Sequence, residues 1–461
     1  MQKKIAIVVG VFFIGILNIF WLAYDGDVQN IPIVLHRVQK VSQVHIALGK
    51  EENSIQVMWT LKEDGKDCWI DMDGKKISNY QKDILEYLGN TGKPYKRFLY
   101  SSLLNSLEPA TIYSYKISCI VSNITISSQK FSFRSPPSQN STITAISFAD
   151  FQTNYYPDPK DKYSKTKKAN ILPHLYQISK SLDNYDIILH AGDIAYDLWS
   201  YNGLMADHFM ESIEHLSSRF PYMTVPGSHE SFTNFTHYKK LFQPQNSLGL
   251  FYSFNLGYAH FIMLDSESFV GRLHTEEMIE NHMKFLKEDL ETNIQPWTIV
   301  ISHRPIYCNP NPLCKVCTTA CTQYSSILSG YLEDLLFQYN ATLWISGNVH
   351  LYERSMPVYK NEIMQFGINK FENPPAPIYI VNGVAGNFDT EDDLSSVGDE
   401  KMPWNVVASE SLGYGKLVVH NKTHLEWIQY AIGKTQQDSP DMIETARTRI
   451  IDEFFIIKTD N

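Results

Sequence analysis

Five apolar runs of strand length in this chain stop on residues that bind metals or move protons. ITAISFAD ends at Asp150, YDIILHAGD at Asp193, and YMTVPGSHE at Ser228, His229 and Glu230. WTIVISH ends at His303, and TLWISGNVH at Asn348 and His350. A single aspartate in such a place is usually a cap or a turn, and a single buried histidine is usually a satisfied core residue. Five successive strand ends of this kind call for another reason. With Tyr196 they make a convergent set of oxygen and nitrogen donors able to hold divalent or trivalent cations. If strand geometry persists through SGNVH, Asn348 and His350 leave the backbone on one face and reach the same point.

Such residues meet only if the strands lie side by side. Between the runs, ANILPHLYQISKSL, LMADHFMESIEHLSSRF and TEEMIENHMKFLKEDLETN carry helical periodicity. Strands alternating with helices predict parallel pairing with both sheet faces covered and ligands at the carboxyl ends of the strands. The segment 30–136 is different. QVHIAL, SIQVMWTL, TIYSYKISCIV and KFSFRS are short alternating runs that predict a small β-sandwich. PPSQNST (136–142) has the composition of a linker. The second domain then spans 142–435, and 436–461 is a tail expected as a terminal helix or extension.

At 461 residues, 43% hydrophobic and 20% charged, the chain has the composition of a multidomain globular protein. Its net charge of −10 and the absence of a dense Lys/Arg block argue against a nucleic-acid partner. Lys3 and Lys4 precede IAIVVGVFFIGILNIFWLAY, and Asp25 and Asp27 follow it. This charge order around about twenty mostly apolar residues reads as a signal peptide or an uncleaved signal anchor over 1–24. Either one sends the rest of the chain into the secretory pathway: secreted, in a lysosomal or vacuolar lumen, or anchored to the membrane facing the lumen or exterior. Sequons at Asn123, Asn140, Asn234, Asn340 and Asn421 agree with that compartment. So do six cysteines. Cys68 and Cys119 are a candidate pair within the sandwich. Cys308, Cys314, Cys317 and Cys321 read as two short-loop disulfides with three connectivities open, ahead of a structural zinc site.

Gly192–Tyr196 (GDIAY), Gly227–Glu230 (GSHE), Ile301–Cys308 (ISHRPIYC) and Gly347–Arg354 (GNVHLYER) resemble, in order, the blocks of the purple acid phosphatases, a family of calcineurin-like metallophosphoesterases. QVHIALG resembles the start of that family's N-terminal fibronectin-type domain. HRPIYC and GYGKLVVHNKTHLEWIQ resemble its animal-type members. The likeness covers roughly 30–432. It implies a four-layer α/β/β/α sandwich behind an all-β domain, and a dinuclear centre that hydrolyses small phosphate monoesters at acidic pH. The first metal, Fe3+, would be held by Asp150, Asp193, Tyr196 and His350, with the Tyr196 phenolate giving a purple colour. Asp193 would bridge to a second ion, Zn2+, Mn2+, Fe2+ or Mg2+, about 3.5–4 Å away.

For that second ion the family supplies an asparagine and two histidines, where this chain has Ser228, His303 and Asn348. Two of the three are changed, which predicts weaker binding and a preference for oxygen-loving ions such as Mn2+, Mg2+ or Ca2+ over Zn2+. The family's G-D-x-G is Ala149–Gln152 here, so the aspartate survives without its second glycine. His229 would donate to the phosphate or the leaving group with Glu230 orienting it, while Glu353 and Arg354 support the last loop. Two other functions fit the same blocks: a silent binding module, and a diester or pyrophosphate hydrolase.

Overall fold

The computed structural model describes residues 10–13, 16–19, 40–88, 94–153, 169–242, 250–271, 275–310, 319–387, 401–432 and 447–459. Two units are separable, Met1–Gln39 and Lys40–Asn461. In the first, Gly10–Phe13 and Ile16–Ile19 pair antiparallel. No helix among the described residues is long and apolar enough to cross a membrane.

The second unit begins with the expected β-sandwich. One sheet runs Ser42–Leu48, Ile55–Leu61, Pro94–Leu104, Gln81–Leu88. The other is built on Ile112–Val121, flanked by Lys66–Met72, Ile124–Ser127 and Phe131–Arg134. Trp59, Ile117 and Phe133 are among the side chains buried in its core. Cys68 and Cys119 are bonded between neighbouring strands of one sheet.

Two seven-stranded sheets follow. In the first, Ile143–Phe148, Ile187–His190 and Tyr222–Thr224 are parallel neighbours. In the second, Ala259–Leu264, Trp297–Ser302, Leu343–Ser346 and Ile378–Asn382 are parallel. The two-residue period of the strands divides their side chains between layers. Ala145, Ile187, Leu189, Ile299, Ile301, Leu343 and Ile345 join one core cluster. Their neighbours Ile146 and Ile188 pack with Leu175, Phe209 and Ile213 of the helices Leu172–Ile178 and Leu204–Ser217. Val300 and Trp344 pack with Leu286, Leu328 and Leu332 of the helices Glu276–Thr292 and Ser325–Gln338. This is the α/β/β/α order. It explains why these strands read as unbroken apolar runs: both faces are covered.

Two sequence expectations are corrected. The tail is not a helix over Arg449–Ile457. RIIDEFFII is a strand antiparallel to His424–Ala431, with Phe454 and Ile456 in the core. Its branched and aromatic residues suit a pleated surface, and the partner strand claims them. The strand carrying TLWIS stops at Ser346, and Asn348 has a left-handed φ of 66°. A loop conformation, and not strand alternation, therefore sets where Asn348 points. In the cysteine cluster, Cys308 is bonded to Cys321, while Cys314 and Cys317 lie outside the described residues.

Candidate metal centre

The carboxyl ends of the two parallel strand sets meet, and the loops leaving them bend sharply. Asp150, Asp193, Ala195, Tyr196, Asp197 and Asn348 all have φ between 50° and 82°. For residues with a Cβ this left-handed region costs on the order of 1–3 kcal/mol each, a strain that collects at functional sites. Two glycines make the crowding tolerable. A Cβ at Gly227 would lie 2.3 Å from Asp193 Oδ1, and one at Gly347 2.4 Å from Asp150 Oδ2.

Asp150, Tyr196 and His350 form one group. The Tyr196 hydroxyl is 3.2 Å from Asp150 Oδ1 and 2.9 Å from His350 Nε2, and His350 Nε2 is 3.5 Å from Asp150 Oδ1. The Asn348 backbone N–H donates to Asp150 Oδ2 at 2.9 Å. Asp193, His303 and Ser228 form the second. His303 Nε2 is 3.2 Å from Asp193 Oδ2, and the Ser228 hydroxyl is 3.2 Å from both Asp193 oxygens. One ligand atom from each of Asp150, Asp193 and His303 lies within 4.8 Å of the others, which joins the two groups.

The donors fit cations. His303 Nδ1 donates to the Ala191 carbonyl at 2.9 Å, so its Nε2 is the atom turned to the carboxylates. That Nε2 is buried without an aligned hydrogen bond, and so is Asn348 Nδ2. Buried polar atoms left open beside paired carboxylates are costly, and a metal ion removes that cost. Turning the Asn348 amide over would present its oxygen, the ligating atom, at the same place. The charges show the same demand. Burial would raise the Asp193 pKa, but His303 and His229 hold it well below the usual range. Burial would lower His303, yet Asp193 pushes it up to about 9.

His229 lies against this centre, its ring 4.4 Å from that of Tyr196. Its backbone N–H donates to Asp193 Oδ1 at 2.9 Å. Burial opposes its protonation, but Asp193 and the hydrogen bond to Asp197 win and carry it to about 10. The group that holds the ring is Asp197, whose Oδ1 is 2.9 Å from Nδ1. Glu230, assigned that task from sequence, instead accepts the backbone N–H groups of Ile194 (2.9 Å) and Gly227 (2.8 Å). It ties two loops of the site together, and burial followed by the Asp193 charge raises its pKa to about 8. Asp197 could have been found in the sequence as the residue next to Tyr196 in GDIAYD, but nothing there says that the chain turns left-handed and aims it at His229. Asn387, also unforeseen, donates to the Asp150 carbonyl at 3.3 Å.

Glu353 accepts from the backbone and side chain of Asn309, and Arg354 makes a two-pronged pair with Asp452 of the last strand. Beside His229 opens a cleft of about 450 Å3. The sequon residues Asn123, Asn140, Asn234, Asn340 and Asn421 are all exposed, and Asn234 lines that cleft.

Three family models match the chain in order. They are purple acid phosphatase, N-terminal domain (41–135), calcineurin-like phosphoesterase (155–352), and iron/zinc purple acid phosphatase-like protein C (376–437). Acid phosphatase type 7 of Danio rerio is 30% identical over 406 residues, 83% of this chain and 86% of the relative. The Homo sapiens protein of the same name is 32% identical over 284 residues, 59% of this chain and 61% of the relative. Purple acid phosphatase PPD1 from yellow lupin (Lupinus luteus) seeds superposes with a TM-score of 0.74 at 21% identity, covering 91% of this chain and 75% of that one, a likeness of fold.

Proposed function

The chain belongs to the purple acid phosphatase family, and on that premise we propose that it hydrolyses small phosphate monoesters at acidic pH, with one firm metal site and one weak one. The observation that carries this reading is the paired donor groups around Asp150 and Asp193, with His303 Nε2 and Asn348 Nδ2 left open beside them. Asp150, Asp193, Tyr196 and His350 would hold Fe3+, since two carboxylates, a phenolate and an imidazole suit a hard trivalent ion. Asp193, His303, Asn348 and Ser228 would hold the second ion, Zn2+, Mn2+, Fe2+ or Mg2+. When bound, such a pair polarises the phosphoryl group and acidifies water.

The chain's own part is proton and charge handling. Asp197 accepts a hydrogen bond from His229 Nδ1–H, leaving Nε2, 3.9 Å from Asp193 Oδ2, as the nitrogen available to the leaving oxygen. A cationic His229 is at once a proton donor and a partner for phosphate oxygens. Glu230 fixes the loops that carry Asp193 and His229. Signal-directed entry into the secretory pathway, with glycans at the exposed sequons, accords with an acidic working compartment.

One observation favours slow turnover, or in the extreme a silent binding module. The Ser228 hydroxyl donates to the carboxylate that would bridge the metals, so it competes with an ion instead of ligating one. A chromogenic phosphate monoester assayed across pH 4–7, with and without a chelator, tests the proposal. Chelator-sensitive hydrolysis with an acidic optimum is expected. Hydrolysis indifferent to chelation contradicts the metal-dependent reading, and none with metals replete favours the silent module.

A further inference from the structure

The helix Thr236–Leu241 continues the turn Ser228–Phe235 that carries His229, and it is tied to both domains. Within the second domain, the Tyr238 hydroxyl donates to the Thr224 carbonyl at 2.9 Å, four residues before Ser228. Three contacts reach the N-terminal sandwich. The Leu241 carbonyl is 2.8 Å from His45 Nε2, and Lys240 pairs with Asp83. The His237 ring packs on those of Tyr87 and Tyr95, with centres 5.2 and 6.5 Å away. The helix is thus a strut between the sandwich and the turn that presents Ser228 and His229.

Two of the three contacts are made by histidines that face no free anion. His237 is buried, and neither of its ring nitrogens has a hydrogen-bond partner among the described residues. Tyr95 beside it already carries the Arg97 guanidinium, 4.2 Å from its ring centre. Asp207 is engaged by Arg97, Tyr95 and Gln43, and Glu211 lies 3.9 Å from Lys62. The charged residues of the helix itself are Lys239 and Lys240, which repel a further cation. His45 has the Gln43 carbonyl 2.8 Å from Nδ1, so its neutral ring donates to one of two carbonyls. Glu214, from the helix behind it, accepts the Val44 N–H at 3.0 Å. Burial lowers the pKa of His237 to about 4, and burial lowers that of His45 against its two carbonyl bonds. A solvated imidazole titrates near about 6.5. Between these values, protons favour the parted contact over the closed one.

We propose that this joint is an acid-sensitive restraint on the His229 turn. Neutral His45 and His237 let the sandwich hold the helix, protons release it, and the release sets the acid limb of the activity profile. His237 is a positioning residue, acting on the turn only through the helix.

The claim about turnover rests on the phosphatase reading, the joint itself does not, and the test keeps them apart. Amide exchange over 236–242, corrected for intrinsic rates, is compared at pH 7 and pH 4.5 by mass spectrometry on the full chain. Protection in the wild type is expected to fall tenfold or more. His237→Phe and His237→Gln should each reduce that change at least threefold, and adding His45→Gln should abolish it. His282→Leu, a buried histidine elsewhere, should leave it as in the wild type. The ratio of kcat at pH 4 to kcat at pH 6 should rise at least threefold in His237→Phe. No change in wild-type protection, the same change in the His237 variants, or its removal by His282→Leu overturns the joint. A kcat ratio unmoved by His237→Phe overturns its role in turnover. If no ester is hydrolysed the phosphatase reading fails, and the exchange data alone decide the joint.

Discussion

At the residue scale the centre is a set of side chains whose types were legible and whose aims were not. Asp150, Asp193, Tyr196, His229, His303 and His350 could be named because each closes an apolar run or sits in a recognisable block. The role of Asp197 was hidden, because the left-handed φ of 82° that turns it to His229 comes from packing, and an aspartate pays for it without a sequence signature. Removing its carboxylate in Asp197→Ala frees the His229 ring. We expect kcat to fall roughly 10- to 100-fold, with KM and metal content nearly unchanged; steady-state kinetics beside elemental analysis checks this, and an unaltered kcat removes Asp197 from the mechanism. Ser228 and Asn348 call for the opposite experiment. The double change Ser228→Asn, Asn348→His restores an amide and an imidazole around Asp193. It should raise zinc affinity at least tenfold by competition titration. No gain in affinity means that the two positions do not face the second ion.

At the element scale, the parallel strands and three of the helices were readable because their periodicity coincides with their burial. The strand Arg449–Ile457 was not, since a short apolar run near a terminus fits either element until its partner is known. Asp452 in this strand, itself buried, accepts from Tyr352 at 2.6 Å and pairs with Arg354, which is 0% exposed. Arg354 in turn belongs to the strand Tyr352–Ser355 that follows the His350 loop. The last strand thereby anchors the element after the centre. Asp452→Ala leaves a buried guanidinium unpaired and should cost about 3–5 kcal/mol in urea unfolding. A loss under 1 kcal/mol would show that the pair contributes little. The bonded pair Cys68–Cys119 was a sequence candidate, whereas Cys308–Cys321 needed the fold to bring its partners together.

For the whole molecule, the network Arg97, Tyr95 and Gln43 on Asp207 joins the sandwich to the helix Leu204–Ser217, so the two domains share one compact unit. The acidic working pH proposed above would set a further demand on that unit. His190 and His282 are held at about 3 and His237 at about 4 by burial, with several of their ring nitrogens unpartnered. Below about 6.5 the unfolded chain takes up protons that these rings refuse, so stability declines as pH falls from there toward 4. His282, 3.6 Å from Phe251 and 5.3 Å from Phe269 by ring centres, is the plainest case. His282→Leu should gain about 2 kcal/mol more over the wild type at pH 5 than at pH 8 in denaturant titrations; a pH-independent difference would contradict this. On the proposed reading, the donors at the strand ends hold one ion firmly and a second weakly. Equilibrium dialysis against iron, zinc and manganese at pH 5, followed by elemental analysis, reads it directly. One ion per chain that survives dialysis, with a visible absorption band lost in Tyr196→Phe, and a second that dissociates, is the predicted result. Two ions retained with equal tenacity, or none, would contradict it.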